Sequence, residues 1–138
     1  MHPVVFEAFE NLLSNMKVNN VLEIGTPKIE KDSLLSLLIL KDAKKTAVDF
    51  SGPYKSGKID VLKADATKLP FPDATFDLIL CNSVLEHMPK FWLALDEFKR
   101  VLQPLGILAI GVPSFGKTSN VLPYHAYPDD FYRFSHSA

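Results

Sequence analysis

The chain has 138 residues, 47% of them hydrophobic and 22% charged, with a formal net charge of -1. One domain of this length buries roughly 68% of its unfolded surface, so a packed core is expected. Near-neutral charge gives no general attraction to nucleic acid or an anionic membrane, the lone Cys81 excludes an internal disulfide, and no Cys/His metal-ligand spacing is present.

No apolar run approaches the ~20 residues needed to cross a bilayer. Met1-His2-Pro3 lacks the charged and apolar regions of a signal peptide, so a cytoplasmic location is the expectation.

Residues 3–16 read as an amphipathic helix. Pro3 suits its first turn, and Val5, Phe6, Phe9, Leu12, Leu13 and Met16 fall at helical spacing. Val21–Gly25 is a short apolar strand ending in a glycine turn. Ser33–Leu40 is nearly continuous in apolar residues but rich in leucine rather than β-branched types. It reads as a helix buried against a sheet, with Asp32 or Ser33 as N-cap. Thr46–Asp49 and Ile59–Leu62 are the second and third strands, and Ser51–Lys58, with two glycines and a proline, is a loop between them.

Phe76–Cys81 is a fourth strand, whose apolar end indicates cover on both faces, as in a parallel sheet. A helix follows Pro89, with Phe91, Leu95, Phe98, Val101 and Leu102 as its buried stripe. Asp96 is spaced to pair with Arg100, and Pro104 stops the helix. Gly106–Val112 is the fifth strand. Strands alternating with helices imply an α/β fold, a mostly parallel sheet with helices on both faces and right-handed crossovers. The whole of 1–138 reads as one domain.

In an open parallel sheet, ligands bind beyond the carboxyl ends of the strands. The residues there are Gly25-Thr26, Asp49-Phe50, Asp65-Ala66, Asn82-Ser83 and Pro113-Ser114. Two acids and an amide on that rim suit a ligand with hydroxyl and amino donors, because ionised carboxylates accept strongly.

Several segments in order carry a resemblance. Ala64-Asp65-Ala66-Thr67-Lys68-Leu69-Pro70-Phe71-Pro72-Asp73, continuing through Phe76-Asp77-Leu78-Ile79 to Leu85-Glu86-His87, resembles the class I S-adenosylmethionine (SAM) methyltransferases of the "type 11" group. Val101–Gly106 resembles the approach to that family's fifth strand, and Tyr124–Phe134 a segment found after it in some members. The resemblance covers roughly residues 20 to 134. It implies a Rossmann-like fold, SAM as methyl donor and a small-molecule acceptor. By the same resemblance, Glu23 and Gly25 flank the methionine end of SAM, and Asp49 accepts from the ribose hydroxyls. Asp65 accepts from the adenine amino group with the Ala66 backbone nearby, and Asn82 lies under the sulfonium end.

The chain departs from the family at one loop. Gly-x-Gly-x-Gly is the family pattern, since φ > 0 and close backbone approach require residues without Cβ. Here the later positions hold Pro27 and Ile29. Proline has no N–H to donate, and a β-branched residue in a left-handed position costs on the order of 1–2 kcal/mol. Glu30 and Asp32 add negative charge where the SAM carboxylate would sit, and Lys28 offsets part of it. Weakened SAM binding is the expectation.

The family's sheet usually has seven strands, whereas this chain supplies five and then an aromatic stretch, Phe115–Phe134. Either the sheet is truncated after strand five or the chain is a fragment of a longer protein. The 113–138 segment is expected to pack on the sheet's carboxyl edge or against a partner, including another copy.

His87, after the fourth strand, is either a general base or a residue fixing the start of the next helix. His125, between Tyr124 and Tyr127, is a candidate for acceptor binding or proton transfer. Arg133 with Asp129 or Asp130 reads as a loop-ordering ion pair, Trp92 as packing or interface, and Cys81 as a buried strand residue. Three functions remain open. They are a SAM-dependent methyltransferase, a methyltransferase-like scaffold acting through partner contacts, and a nicotinamide-cofactor enzyme, whose Gly-x-Gly-x-x-Gly turn is missing.

Overall fold

The computed structural model describes residues 3–113 and 131–134. Within them, β1 (Asn20–Ile24), β2 (Lys44–Asp49), β3 (Tyr54–Ser56), β4 (Ile59–Lys63), β5 (Phe76–Asn82) and β6 (Leu102–Gly111) form one six-stranded sheet. Its order is β3-β4-β2-β1-β5-β6, parallel throughout except for the antiparallel β3–β4 hairpin. The expected α/β architecture is the one observed.

Both faces are covered because side chains alternate along each strand. Val21, Leu78, Leu80 and Ala109 enter one layer with Phe9 and Leu13 of helix α1 (Pro3–Leu13) and with Leu34, Leu35, Leu37 and Leu40. Leu22, Ile24, Ile79 and Cys81 enter the other with Ala94, Phe98 and Val101 of helix α2 (Phe91–Val101). Phe98 is fully buried, and truncating it to alanine is expected to cost about 3–5 kcal/mol.

Several elements differ from the sequence reading. The α1 stripe excludes Leu12, which is 59% exposed, because it lies about 100° around the helix from the buried Leu13. Ser33–Leu40 is not an α-helix. Three 3-10 turns (Glu30–Asp32, Leu34–Ser36, Leu38–Leu40) occupy that stretch. The Ser33 hydroxyl accepts the Leu35 N–H at 3.1 Å, and the Ser36 hydroxyl donates to the Ser33 carbonyl at 2.7 Å. These local bonds compete with an i→i-4 ladder, and Leu37 leaves the helical region at φ -55°, ψ 133°. The leucines still reach the core, so burial is achieved without the helix.

The hairpin strand β3 was not legible, being three residues long inside a stretch rich in turn residues. Helix α2 ends at Val101 rather than at Pro104, and β6 begins at once. Its register against β5 shifts between Phe76 and Leu78, so Gln103–Gly106 form a bulge with Leu105 at φ 65°. Among the described residues β6 is an edge strand, where proline is tolerated.

Arg100 does not pair with Asp96. Its guanidinium donates to both Glu97 carboxylate oxygens at 2.8 Å, to Asp73 at 2.8 Å and to the Phe71 carbonyl at 2.9 Å. The planar fork matches a carboxylate two bonds at a time, and it ties the β4–β5 connection to α2. Arg100 holds the Glu97 carboxyl below its ordinary range.

Candidate functional site

Strand order reverses between β1 and β5, and a cleft of about 720 Å³ opens at the carboxyl ends of the strands there. Ile24 and Gly25 contribute from β1, Val48 to Phe50 from β2, and Ala64 to Thr67 from the segment after β4. Ser83, Val84, His87, Met88, Lys90 and Leu93 complete it from the connection between β5 and α2 and from α2 itself. Four of the sequence-predicted site residues, Gly25, Asp49, Asp65 and Ala66, therefore line one cleft.

Asp49 and Asp65 are held in the same way. The Asp49 Oδ1 accepts the Ser51 N–H at 2.7 Å and the Ser51 hydroxyl at 2.5 Å. The Asp65 Oδ1 accepts the Thr67 N–H at 2.8 Å and the Thr67 hydroxyl at 2.7 Å. Each is an Asx turn closed by a hydroxyl residue two positions on. These bonds engage one oxygen of each carboxylate and fix the pair as acceptors on the cleft wall. The Asp-x-Ser and Asp-x-Thr spacings carried this signal in the sequence, where Ser51 and Thr67 were overlooked.

Gly25 has φ +74°, and a Cβ there would lie 2.3 Å from Val84 Cγ2. Both the conformation and the close approach require glycine. Ser83 brings Val84 over, turning off β5 in the left-handed region at φ 54° and donating its N–H to the Gly111 carbonyl at 2.9 Å. A non-glycine residue held there is a strained rim position. The loop then runs away from the cleft. Gly25 and Thr26 donate their N–H groups to the Val48 carbonyl at 2.9 and 3.2 Å. Ile29 adopts an extended conformation (φ -102°, ψ 115°) and is 56% exposed, so it does not take the left-handed position of a family glycine.

Glu23 does not line the cleft. It is 2% exposed, and its carboxylate accepts the Ser33 hydroxyl at 2.5 Å and the Leu34 N–H at 2.7 Å. Burial raises its carboxyl above the ordinary value of 4.5, against the lowering effect of those bonds. Glu23 thus braces the far end of the loop. Asn82 does not line the cleft either: its Nδ2 donates to the hydroxyl of Ser83, which does, at 3.2 Å, and a Cβ on Gly111 would meet its Oδ1 at 2.1 Å.

His87 lines the cleft, with its Nε2 3.8 Å from the carboxylate of the fully buried Glu86. Cys81 is buried, and burial together with Glu86 and Glu23 pushes its thiol up to about 12, as suits a packed strand residue. Trp92 is 49% exposed and stacks edge-on against Phe91. His125, Tyr124, Tyr127, Asp129, Asp130 and Ser114 lie outside the described residues. The described part of the aromatic segment returns to the cleft's outer wall. Phe131 donates its N–H to the Glu86 carbonyl at 2.7 Å, and the Tyr132 hydroxyl donates to the Pro89 carbonyl at 2.8 Å. Among the described residues no cluster could hold a metal ion, and no helix is long and apolar enough to cross a membrane.

Two fixed carboxylate acceptors share this cleft with the apolar side chains of Phe50, Val84, Met88 and Leu93, a lining suited to a ligand with apolar faces and hydroxyl or amino donors. Residues 33–110 match the family described as "Methyltransferase domain", Methyltransf_11. The chain belongs to that methyltransferase family. Its members use SAM as methyl donor. The matched span includes Asp49, Asp65, Ala66 and Asn82 and begins after Glu23, Gly25 and the loop.

Ubiquinone/menaquinone biosynthesis C-methyltransferase UbiE of Saccharophagus degradans is 42% identical over 79 residues, 57% of this chain and 30% of that protein. The demethylmenaquinone methyltransferase of Listeria monocytogenes is 31% identical over 109 residues, 71% of this chain and 46% of that protein. The chain therefore spans less than half the length of these curated relatives. The structure of YcgJ from Bacillus subtilis superposes with a TM-score of 0.63 at 20% identity, over 82% of this chain and 52% of that one. PH0226 from Pyrococcus horikoshii gives 0.62 at 24% identity, over 78% and 56%. At these identities the likeness is one of fold, a Rossmann-like methyltransferase fold.

Proposed function

We propose that this chain binds SAM in the cleft and directs methyl transfer to a small-molecule acceptor. The observation that carries the reading is the convergence of Gly25, Asp49 and Asp65 on one cleft at the strand-order reversal. Asp49 accepts from the ribose hydroxyls, and Asp65 with the Ala66 backbone takes the adenine amino group. Gly25 meets the methionine end, on which Glu23 acts through the loop it braces, and Asn82 supports the sulfonium end from beneath.

Bound SAM supplies an electrophilic sulfonium methyl group. The chain's part is to hold the reacting pair in line and exclude water. His87 on the cleft wall accepts a proton from an acceptor that must lose one early. One relative is named for ubiquinone/menaquinone biosynthesis and another as a demethylmenaquinone methyltransferase, which makes demethylmenaquinone the first acceptor to assay.

The test is thermal unfolding with S-adenosylhomocysteine (SAH). A ligand at one hundred times its dissociation constant stabilises by roughly 2.7 kcal/mol, and ~2–8 °C per kcal/mol makes a shift of several degrees. Asp49→Ala should remove that shift by deleting a charged acceptor worth about 1.5–3 kcal/mol. No shift with millimolar SAM or SAH in the wild type would overturn the reading. A second reading, a methyltransferase-like scaffold acting through partner contacts, is favoured by Pro27 and the extended Ile29 in place of loop glycines. It predicts that null result.

A further inference from the structure

The loop after Gly25 lacks the glycines that would let it close on a ligand by itself, yet it is tied down at several points. The ties come from the β3–β4 hairpin, which stands beside it at the sheet edge. The Tyr54 hydroxyl donates to the Thr26 carbonyl. Lys28 Nζ lies 5.7 Å from the centre of the Tyr54 ring, within reach of its electron-rich face. Two residues further on, the Glu30 carboxylate accepts the Lys58 N–H from the hairpin turn at 3.3 Å. Thr26 itself is 1% exposed, so its carbonyl needs a donor once it is out of water.

Tyr54 is also close to the second ligand-facing element. Its phenol is raised first by burial and then by the negative charge of Asp49. The phenol thus meets the loop after β1 at the Thr26 carbonyl and lies within the field of the carboxylate that ends β2. The hairpin that carries it is an antiparallel addition to the otherwise parallel sheet.

We infer that Tyr54 is a positioning residue for the methionine end of the cofactor site, setting the path of the Gly25–Ile29 loop through the Thr26 carbonyl. This rests on the SAM reading above. External hydrogen bonding replaces the conformational freedom that glycines supply elsewhere. Without the Tyr54 donor, the buried Thr26 carbonyl must find water or another partner, and the loop moves to let it. Gly25 moves with it, because the two residues share the Val48 carbonyl as acceptor.

The experiment compares Tyr54→Phe with wild type by calorimetric titration of two probes on the full 138-residue chain. SAH carries the amino-acid end, whereas 5′-methylthioadenosine carries the nucleoside and sulfur without it. The expected result is a roughly three- to tenfold loss of SAH affinity, the size of one hydrogen bond. Methylthioadenosine affinity should change by less than about twofold, since Asp49 and Asp65 keep their own turns. Equal losses for both probes would overturn the inference and make Tyr54 a general support of the fold or of Asp49. Unchanged affinity for both would overturn it too. Wild-type protein that binds neither probe overturns the SAM reading itself, a result distinct from a wild type that binds SAH and a variant that binds it equally well. Should Tyr54→Phe fail to fold, Lys28→Met serves in its place. Loss of the cation over the ring is expected to lower SAH affinity about twofold, again sparing methylthioadenosine, and a loss shared by both probes would overturn the inference.

Discussion

Two parts of the cleft rim are built by opposite means. After β2 and β4, each acid is fixed by a residue two positions away, Ser51 for Asp49 and Thr67 for Asp65. After β1, the loop is fixed by Tyr54, 28 residues further along, and by Val84 closing over Gly25. The first kind of support belongs to the local chain and persists while the strand ends are in place. The second exists only when the hairpin, the β5–α2 connection and the loop are assembled together. The side of the cleft lined by Asp49 and Asp65 is thus held by local turns, and the side after β1 is one tertiary unit.

Substitutions can break this contrast, and Gly25→Ala should do so most severely. It adds left-handed strain of ~1–2 kcal/mol and overpacking against Val84 of ~1–3 kcal/mol. Expected outcomes are loss of measurable SAH binding and a melting point lower by several degrees, at ~2–8 °C per kcal/mol. Retention of both within error would show that the loop is not held as a unit.

Glu23→Gln probes the same unit through pH. The Glu23 carboxyl is raised in the folded state above its ordinary 4.5, so folding favours its protonated form. Its contribution is present in full below that ordinary value and is lost as pH rises through the raised one. Wild-type urea midpoints should therefore fall across this window more steeply than those of Glu23→Gln, which has no group to ionise. Parallel pH curves for the two proteins would remove the buried carboxyl from the account.

Ser51→Ala and Thr67→Val should have the smallest effects. Each deletes one hydroxyl bond to a carboxylate that keeps its backbone N–H partner. A loss of ~0.5–1.5 kcal/mol, or about two- to tenfold in SAH affinity, is expected, with little change in melting point. If either destabilised the protein as much as Gly25→Ala, the Asp49 and Asp65 side of the cleft would not be held by local turns.

The parts of the molecule that were legible in the sequence share a physical property. Strand cores such as Val21–Ile24 and Phe76–Cys81 show themselves because both faces are covered and nearly all their side chains are apolar, Glu23 and Asp77 being the exceptions. Gly25, Asp49 and Asp65 were legible because strand ends in such a sheet are where ligands are met. The misreadings also have a common cause. Ser33–Leu40 has the composition of a helix, but serine hydroxyls and the core divide it into 3-10 turns. Asp96 had the right spacing for Arg100, yet Glu97 and Asp73 offered better geometry to the guanidinium fork. Glu23 was placed at the ligand by the family resemblance, but it alternates along β1 with Ile24, which lines the cleft, so its side chain faces the other way. Its side chain points to Ser33 and Leu34 rather than to the cleft.

The sequence by itself determined the five parallel strands, the two covered faces of their sheet and the acids at the strand ends, because burial periodicity is encoded over a few neighbouring residues. Only the tertiary structure decided how the loop from Gly25 to Ile29 is held. Its partners, Tyr54 and Val84, are distant in the chain, and no local pattern records which side chain will meet a given carbonyl once the strands are brought together.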